Sequence, residues 1–177
     1  MGLFDKLFGK AEEKAASTTP AAVEAQGGEG VLCAPASGRV APMEDSPDPV
    51  FSSKAMGDGC VVFPDGEVVY APVTGTVAAA MPHAIGITGD DGTEALVHVG
   101  VDTVSMNGKG FTLHVAQGDH VAAGQPLVSF SRKAIADAGY IDCIMLIVTN
   151  TDAFASVNLV AEGNVTAGQK VVECTKA

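Results

Sequence analysis

The stretch "HAIGITGDDGTEALVHVGVDTV", residues 83–104, decides how the chain folds, because it places two apolar segments on either side of a tight turn. Residues 89–92, Gly-Asp-Asp-Gly, are typical of such a turn. Apolar and other residues alternate after it, as they do in a strand with one buried face. The pattern predicts an antiparallel hairpin whose second strand directs Val97, Val99 and Val101 into the core.

Two histidines belong to the outer side of this hairpin. Leu96, His98 and Gly100 share the face opposite to the valines, and the glycine leaves room beside the ring. A register symmetric about Asp90-Asp91 places position 83 opposite position 98, and opposed residues of antiparallel strands point to the same face. His83 and His98 are therefore predicted to lie side by side. Apolar surroundings disfavour the imidazolium ion, so we expect a neutral ring, able to act as a nucleophile or a metal ligand.

The chain outside the hairpin reads as further short strands. From about Gly30, apolar segments alternate with Gly, Pro and Asp turns, without the regular helices that a parallel sheet needs. "CVVFPDGEVVYAP" (60–72) predicts a second hairpin, and "SRKAIADAG" predicts one short helix.

Two internal repeats refine this picture. "APASGRV" (34–40) recurs as "APVTGTV" (71–77), and "VAAGQPLV" (121–128) recurs as "VTAGQKVV" (165–172). We predict an all-β fold, an antiparallel β-sandwich or barrel of duplicated, interlocked motifs with short helical turns.

The first 29 residues differ in character from the rest. "MGLFDKLFGK" (1–10) predicts an amphipathic helix with Lys6 and Lys10 on its polar face. Such a helix can contact an anionic membrane surface or pack on the domain. The following segment, rich in Ala, Glu, Ser and Gly, predicts a flexible linker. We therefore divide the chain into a leader with its linker, residues 1–29, and a domain, residues 30–177.

Charge and cysteine content exclude several classes of function. The net charge of −11, without a basic stripe, argues against nucleic-acid binding and suits a basic protein partner. The four cysteines are far apart and form no CxxC pair, which excludes a zinc ribbon and a disulfide framework. The sequence has neither a signal peptide nor an apolar stretch long enough to cross a bilayer, so the cytoplasm, with reduced thiols, is the expected location.

Two facing imidazoles admit two chemistries. Zinc binding needs at least a third ligand. In phosphoryl transfer, one ring attacks phosphorus and the other donates hydrogen bonds to the phosphoryl oxygens. The sequence contains no nucleotide-binding fingerprint, so the donor would be another phosphoprotein. His114 and His120 have no comparable partner and are interpreted as bystanders.

The motifs as a set resemble the glucose-type enzyme IIA phosphocarriers of the bacterial phosphoenolpyruvate-dependent sugar phosphotransferase system. The resemblance rests on "GVLCAPASGRV", "DSPDPVFSSKAMGDGCVVFP", "APVTGTV", "HAIGI", "VHVGVDTVSMNGKGF", "GDHVAAGQPLVSF" and "VTAGQ". It extends over almost the whole chain after the linker, and "MGLFDKL" is similar to the leader of free-standing members. The resemblance implies that His98 accepts a phosphoryl group from phospho-HPr and passes it to the IIB domain of a sugar permease, that His83 supports that group, and that no cofactor is required.

The resemblance also implies a docking surface. An apolar patch around the acceptor would be formed by Val50, Phe51, Met56 and Leu96. Asp48 and Asp102 would meet an arginine of HPr. In the family the two histidines can ligate zinc with a ligand from a regulated partner, and some members regulate other permeases or metabolic enzymes. Met81 is a departure, because family members usually have a threonine there that anchors the supporting histidine.

Two other classes of protein remain open at this level. A lipoyl or biotinyl carrier domain has similar turns but needs a lysine at a hairpin tip, and Lys54 is the only candidate. A zinc metallopeptidase of similar sandwich fold is suggested by His98-x-x-x-Asp102. It would also need a His-x-His pair, which the chain does not contain.

Overall fold

The structure, a computed structural model, describes residues 19–177, so the amphipathic segment predicted at residues 1–10 lies outside the described part. Strands dominate, and in the described part no helix is long and apolar enough to cross a membrane. The strands are β1 (Val31–Cys33), β2 (Gly38–Pro42), β3 (Asp58–Pro64), β4 (Val68–Tyr70), β5 (Gly75–Met81), β6 (Ala84–Gly89), β7 (Glu94–Val99), β8 (Phe111–Leu113), β9 (His120–Val121), β10 (Pro126–Phe130), β11 (Ile144–Val148), β12 (Phe154–Leu159), β13 (Gly163–Val165) and β14 (Lys170–Lys176). The helices are α1 (Pro49–Ser52) and α2 (Arg132–Asp137), with single 3₁₀ turns at Met43–Asp45, Thr103–Met106 and Thr151–Ala153.

The strands form three antiparallel sheets, which confirms the predicted fold class. The large sheet has the order β13-β2-β3-β11-β7-β6-β5-β9, and the small sheets have the orders β1-β14-β12 and β4-β10-β8. The main core contains residues of all three sheets, such as Val97, Leu127 and Val171. The large sheet therefore buries one face against the two small sheets.

The predicted β6–β7 hairpin is present, but its register differs by one residue. Ala84, not His83, is opposite His98. The Gly89 amide donates to the Thr93 carbonyl, so three residues rather than two form the loop. Gly92, with φ of 91°, supplies the left-handed residue that such a three-residue loop needs.

The second predicted hairpin is wrong. β3 pairs with β2 and β11 in the large sheet, whereas β4 pairs with β10 in a small sheet. The Asp65 amide donates to the Ser37 carbonyl, which turns the chain from one sheet to the other. The Pro-Asp-Gly sequence does mark a turn, but this turn connects a strand of the large sheet to a strand of a small sheet.

The sequence repeats correspond to an internal pseudo-two-fold symmetry. The Cys33 amide donates to the Pro72 carbonyl (2.9 Å), and the equivalent Tyr70 amide donates to the Pro35 carbonyl (2.8 Å). Each Ala-Pro motif also bonds one Val-x-Ala-Gly-Gln turn: Ala34 with residues 168–169, and Ala71 with residues 124–125. The duplicated motifs are therefore interlocked as predicted.

The large sheet has the same symmetry, because its strand order is equivalent when read from either edge. Gly38 and Gly75 begin equivalent strands. When the strand registers are followed from these glycines, Ile147 in β11 becomes the counterpart of His98 in β7. The β6–β7 pair thus has an equivalent, the β3–β11 pair, in the other half of the domain.

The segment before β1 is attached to the domain. The Val23 amide donates to the Gly124 carbonyl (2.9 Å), and the Gln26 amide donates to the Gly168 carbonyl (2.8 Å). The linker predicted up to residue 29 is therefore fixed over its last part, and ordered structure begins before residue 30.

A second apolar cluster covers the outer face of the large sheet. It consists of Ala41, Met43, Phe51, Val61, Cys143, Met145 and Ile147, with Phe63, Leu96 and Val101 packed at its edge. We call it the outer apolar cluster. The residues that connect β2 to β3, 43–57, contribute Met43 and Phe51 to it, and it borders the histidines.

Candidate active site: a histidine pair on an apolar face

The two histidine rings are adjacent. Their centroids are 5.2 Å apart, and the ring planes are nearly perpendicular, at 82°. His98 is in β7, whereas His83 lies in the two-residue turn between β5 and β6, where its carbonyl accepts a hydrogen bond from the Val99 amide (2.7 Å). The turn at the end of the hairpin, rather than a directly opposed register, therefore brings the rings together.

Phe51 contacts His98 from the other half of the domain. The centroids of the two rings are 5.0 Å apart, and Phe51 is only 5% exposed. α1 holds it there: Asp48 caps the helix by accepting the Val50 amide at 3.0 Å, and Pro49 occupies the first turn. The sequence "DPVF" is thus a helix start that presents an aromatic ring to the histidine.

Burial keeps both imidazoles uncharged. Desolvation lowers the pKa of His98, and the neighbouring His83 adds to the shift, while the Gly100 carbonyl and the carboxylates of Asp48 and Asp102 oppose it. Desolvation also lowers the pKa of His83. Both rings are therefore neutral at pH 7, as predicted.

The two ring nitrogens of His98 differ in their surroundings. Nδ1 is buried and has no partner at hydrogen-bond distance and angle among the described residues. The side chain as a whole is only partly buried. The accessible nitrogen is therefore Nε2.

Apolar side chains are exposed on the segments that flank the pair, which include α1 with Phe51. Val50 is 51% exposed and Met56 is 43% exposed, while Leu96 is half-buried against the outer apolar cluster. Sequence analysis missed Val104, which is 59% exposed on the 3₁₀ turn after Asp102. The signal available in the sequence was that Val104 is apolar although no strand pattern accounts for it.

Gly100 has a different role from the predicted one. It has φ of +81°, and a Cβ at this position would lie 2.3 Å from Thr103 Cγ2. Thr103, whose hydroxyl donates to the Val99 carbonyl, therefore fills the space that was expected to stay open beside the ring. Because the chain turns at Gly100, Val101 packs at the edge of the outer apolar cluster and not in the main core, where it was predicted.

Met81 lies on the same outer face as the histidine. The registers place Ala84 beside His98 and Met81 beside Ala84. Met81 is 47% exposed and offers no hydrogen-bonding group to His83. Desolvation accounts for the lowered pKa of His83, and no hydrogen bond from the described residues contributes to that shift. Within residues 19–177, the ring is therefore positioned by contact with His98 and by its backbone.

The other candidate residues lie elsewhere. His114 bonds Ser129 (2.7 Å), and His120 pairs with Asp90 (2.9 Å), so among the described residues neither has the neighbouring imidazole that His98 has. Lys54 forms ion pairs with Glu44 (2.5 Å) and Asp58 (3.4 Å), and it follows α1 rather than a hairpin tip. The carrier-lysine alternative is therefore not favoured.

The described residues contain no group of three or more His, Cys, Asp or Glu that could hold a metal ion. His83 and His98 supply two nitrogen donors, whereas a catalytic zinc site takes three protein ligands. The metallopeptidase alternative is therefore not favoured either.

A neutral nucleophilic ring, a second ring beside it and an exposed apolar surround define a class of protein. Such an arrangement suits a protein that receives a small group from one macromolecule and delivers it to another, because a second protein can cover the surface on which the pair lies.

Comparison with known proteins identifies the family. The chain belongs to the phosphoenolpyruvate-dependent sugar phosphotransferase system EIIA 1 family, whose model matches residues 30–154. It is 40% identical over 177 residues to a glucose-specific EIIA component of Staphylococcus aureus strain N315, a match that covers 98% of this chain and 99% of the relative. It is 39% identical over 173 residues to the equivalent component of Halalkalibacterium halodurans, with 94% of each chain covered.

Two further relatives add context. The glucose permease IIA from Mycoplasma capricolum superposes with a TM-score of 0.74 at 34% identity, over 80% of this chain and 93% of that one. A glucose-specific EIICBA component of Streptococcus pneumoniae is 45% identical over 140 residues, which are 78% of this chain and 19% of the relative. As an EIIA component, the protein is a phosphotransferase of sugar transport that accepts phosphoryl groups from HPr and passes them to the permease domains. It needs no cofactor for this.

Proposed function

We propose that His98 is the phosphoryl acceptor and that it reacts through Nε2. The observation that carries this assignment is the perpendicular histidine pair, in which Nδ1 of His98 is buried while the rest of the ring borders an exposed apolar patch. The family assigns phosphoryl transfer to the chain, and this pair is the one place where two imidazoles meet among residues 19–177.

In the transfer step, the lone pair on Nε2 attacks the phosphorus atom of a phosphohistidine on HPr. A P–N bond to His98 forms as the P–N bond to the donor ring breaks, and the donor nitrogen keeps that electron pair. The proton of neutral His98 is then on Nδ1, because Nε2 must present its lone pair to phosphorus. Onward transfer to the IIB domain reverses these roles, so the site needs no co-reactant.

His83 stabilises the group in transit. Its ring is close enough to reach a phosphoryl group on its neighbour, and an N–H donated to a phosphoryl oxygen counters the negative charge as it develops. The surrounding apolar side chains exclude water, which strengthens this interaction and protects the P–N bond from hydrolysis.

The docking surface combines apolar contact with charge. Val50, Met56 and Leu96 form the patch that HPr and the IIB domain cover in turn, whereas Phe51, which was expected in this patch, is buried and supports it from beneath. Asp48 and Asp102 both act electrostatically on His98, and we assign them to an arginine of HPr. An acidic rim suits a protein with a net charge of −11 that must attract a basic partner.

The permease served by this carrier is of the glucose type, which is proposed because the relatives at 40% and 39% identity carry that specificity in their names. The cytoplasm is the proposed location, because the four cysteines are free and buried, as expected for a reducing compartment. We retain the proposals of peripheral membrane contact through residues 1–10 and of regulatory binding to other permeases or metabolic enzymes.

Zinc is proposed only at a contact with a regulated partner. His83 and His98 would provide two nitrogen ligands, and the partner would complete the four ligands of a structural zinc site. Because Nε2 of His98 would bind either zinc or phosphorus, zinc binding and phosphorylation would exclude each other.

Phosphorylation with phosphoenolpyruvate, enzyme I and HPr tests the assignment. We expect one acid-labile phosphate, absent in His98→Ala, and a ³¹P chemical shift typical of the Nε2 isomer. His83→Ala should still accept phosphate but should pass it to a IIB domain about 10²-fold more slowly. His120→Gln is the matched control and should behave like the parent.

Loading that survives His98→Ala, an acid-stable phosphate, or a phosphate on Nδ1 would each contradict the assignment. Equal rates of onward transfer for His83→Ala and the parent would remove the proposed role of His83.

A further inference from the structure

The two Val-x-Ala-Gly-Gln turns share a contact that phosphoryl transfer does not use. Their glycines, Gly124 and Gly168, have φ of 89° and 90°, and their carbonyls accept the amides of Val23 (2.9 Å) and Gln26 (2.8 Å). Because the turns are related by the internal symmetry, equivalent atoms of the two halves hold one extended segment between them. We call residues 23–26 the strap and the two turns the socket.

Both socket glycines are required by the closeness of the strap. A Cβ on Gly124 would lie 2.2 Å from the Val23 carbonyl oxygen, and one on Gly168 would lie 2.0 Å from that of Glu24. Gly118 and Gly139 have similar φ, 94° and 86°, but a Cβ on either would meet nothing within 4 Å. The socket glycines therefore allow backbone to approach backbone, in addition to allowing the turn.

The strap is held mainly by its backbone. No residue from 19 to 29 is buried, and within the strap only Val23 and Ala25 are half-buried. One side chain contributes, since Gln26 Oε1 accepts the Lys170 amide at 2.9 Å. A segment attached in this way can be released without opening a core.

The socket is distant from the histidines. The Gly124 amide donates to the Ala71 carbonyl, next to the start of β5 at Gly75, whereas β5 ends at Met81 beside the turn that carries His83. At about 3.3 Å per residue, this strand separates the two places by roughly 20 Å.

We propose that the strap fixes the point at which the N-terminal leader leaves the domain, at the end remote from the histidine pair. Any body attached through the leader is then kept clear of the docking surface, so HPr and the permease domain reach His98 while the domain remains tethered. The proposal rests on the proposed function only in locating phosphoryl transfer at His98.

The test uses the full-length double variant Gly124→Ala/Gly168→Ala. Hydrogen exchange of the amides of Val23 and Gln26, read from peptides over residues 19–29, should accelerate at least tenfold. Cleavage after Glu24 by a glutamyl endopeptidase should accelerate to a similar extent. The control Gly118→Ala/Gly139→Ala has the same backbone strain without the collision and should leave both rates unchanged. Phosphoryl acceptance from HPr should match the parent in both variants.

A second variant keeps the test valid if the first does not fold. Gln26→Pro removes one strap amide without altering the socket, and Gln26→Ala is its control. Gln26→Pro should release the strap while the melting temperature of the domain stays within a few degrees of that of Gln26→Ala.

Three results would overturn the proposal. Unchanged exchange in the glycine variant and in Gln26→Pro would show that the socket does not hold the strap. Strap protection that rises with protein concentration would show that the strap of another copy occupies the socket. Slower phosphoryl acceptance on strap release, in a folded variant from which cleavage after Glu24 has removed the leader, would show that the two ends of the domain are coupled. Failure of the His98 assignment would instead appear as phosphorylation of His98→Ala and would leave the exchange measurement unaffected.

Discussion

The proposed reactivity of His98 depends on its remaining uncharged, which yields a pH prediction. Because burial lowers its pKa from the ordinary value of 6.5, His98 should keep more than half of its loading rate at pH 6.5, where a free imidazole is half protonated. An NMR titration of the ring and the loading rate should both give a midpoint below 6.5. A midpoint at or above that value would contradict the argument from burial.

The same shift affects stability. The unfolded chain binds the proton more readily than the folded chain, so the contribution of the pair to the free energy of unfolding is complete above about pH 6.5 and is lost as the pH falls towards the folded-state pKa. Urea unfolding at about pH 7.5 and about pH 5.5 measures this loss. The loss should be smaller in His83→Gln/His98→Gln, because the titrating carboxylates are common to both proteins.

The missing hydrogen bond to His83 predicts a gain of function. In Met81→Thr, a hydroxyl on the outer face can bond the His83 ring, and a net hydrogen bond of about 0.5–1.5 kcal/mol would accelerate onward transfer by up to about tenfold. Met81→Leu is the control, since it keeps an apolar side chain and lacks the hydroxyl. If threonine and leucine give the same transfer rate, the His83 ring is already fully positioned by its contact with His98.

Individual residues were predicted well where a strand pattern or a motif identified them. The adjacency of His83 and His98 was predicted correctly, but from an opposed register that the hairpin does not have, since the turn between β5 and β6 brings the rings together. The role of Gly100 was not predicted, because the space beside it is filled by Thr103, which returns through a turn whose geometry no residue pattern specifies.

At the scale of elements, the turn after β7 predicts a large cost of substitution. Gly100→Ala combines a positive φ with a Cβ 2.3 Å from Thr103 Cγ2 and 2.9 Å from the Ile141 carbonyl oxygen. We expect the free energy of unfolding to fall by about 2–4 kcal/mol. Gly92→Ala, with φ of 91° and open space, should cost only about 1 kcal/mol. Equal costs in urea unfolding would show that Thr103 moves aside.

The positions of strands and turns along the chain were predicted more reliably than the pairing of the strands. The β6–β7 register was wrong by one residue, because the loop has three residues and the turn sequence fits either length. β3 and β4 were predicted to pair, yet they belong to different sheets, because pairing depends on contacts of distant segments such as β10 and β11. The linker was predicted to be free up to residue 29, because the bonds that fix it come from turns about a hundred residues away.

At the scale of the whole molecule, charge should govern encounter with HPr. We predict that Asp48→Asn/Asp102→Asn lowers kcat/KM for phospho-HPr about tenfold at low ionic strength and less at high ionic strength. Asparagine preserves the local backbone at both positions. It caps helices as aspartate does at position 48, and it tolerates the positive φ of 59° at position 102.

Glu162→Gln, an exposed change between β12 and β13, is the control for net charge and should have little effect. If the double variant showed the same salt dependence as the parent, the two carboxylates would not be the attracting groups.

The duplicated architecture was recognisable in the sequence, but its consequence for chemistry was not. His98 and its counterpart Ile147 occupy equivalent positions, yet they differ in what covers them. Ile147 is fully buried under the segment 43–57, whereas the equivalent connection near His98 is only the Pro82-His83 turn.

On the proposed assignment, one half carries the acceptor histidine and the other carries the segment that partners contact. Met43 and Phe51 must be kept because they pack over Ile147 and His98, whereas the exposed residues of segment 43–57 can change, and with them the proposed choice of partner, while β7 stays in place. Grafting the exposed residues of this segment from a relative that serves a different permease is therefore a direct way to change the partner of the carrier.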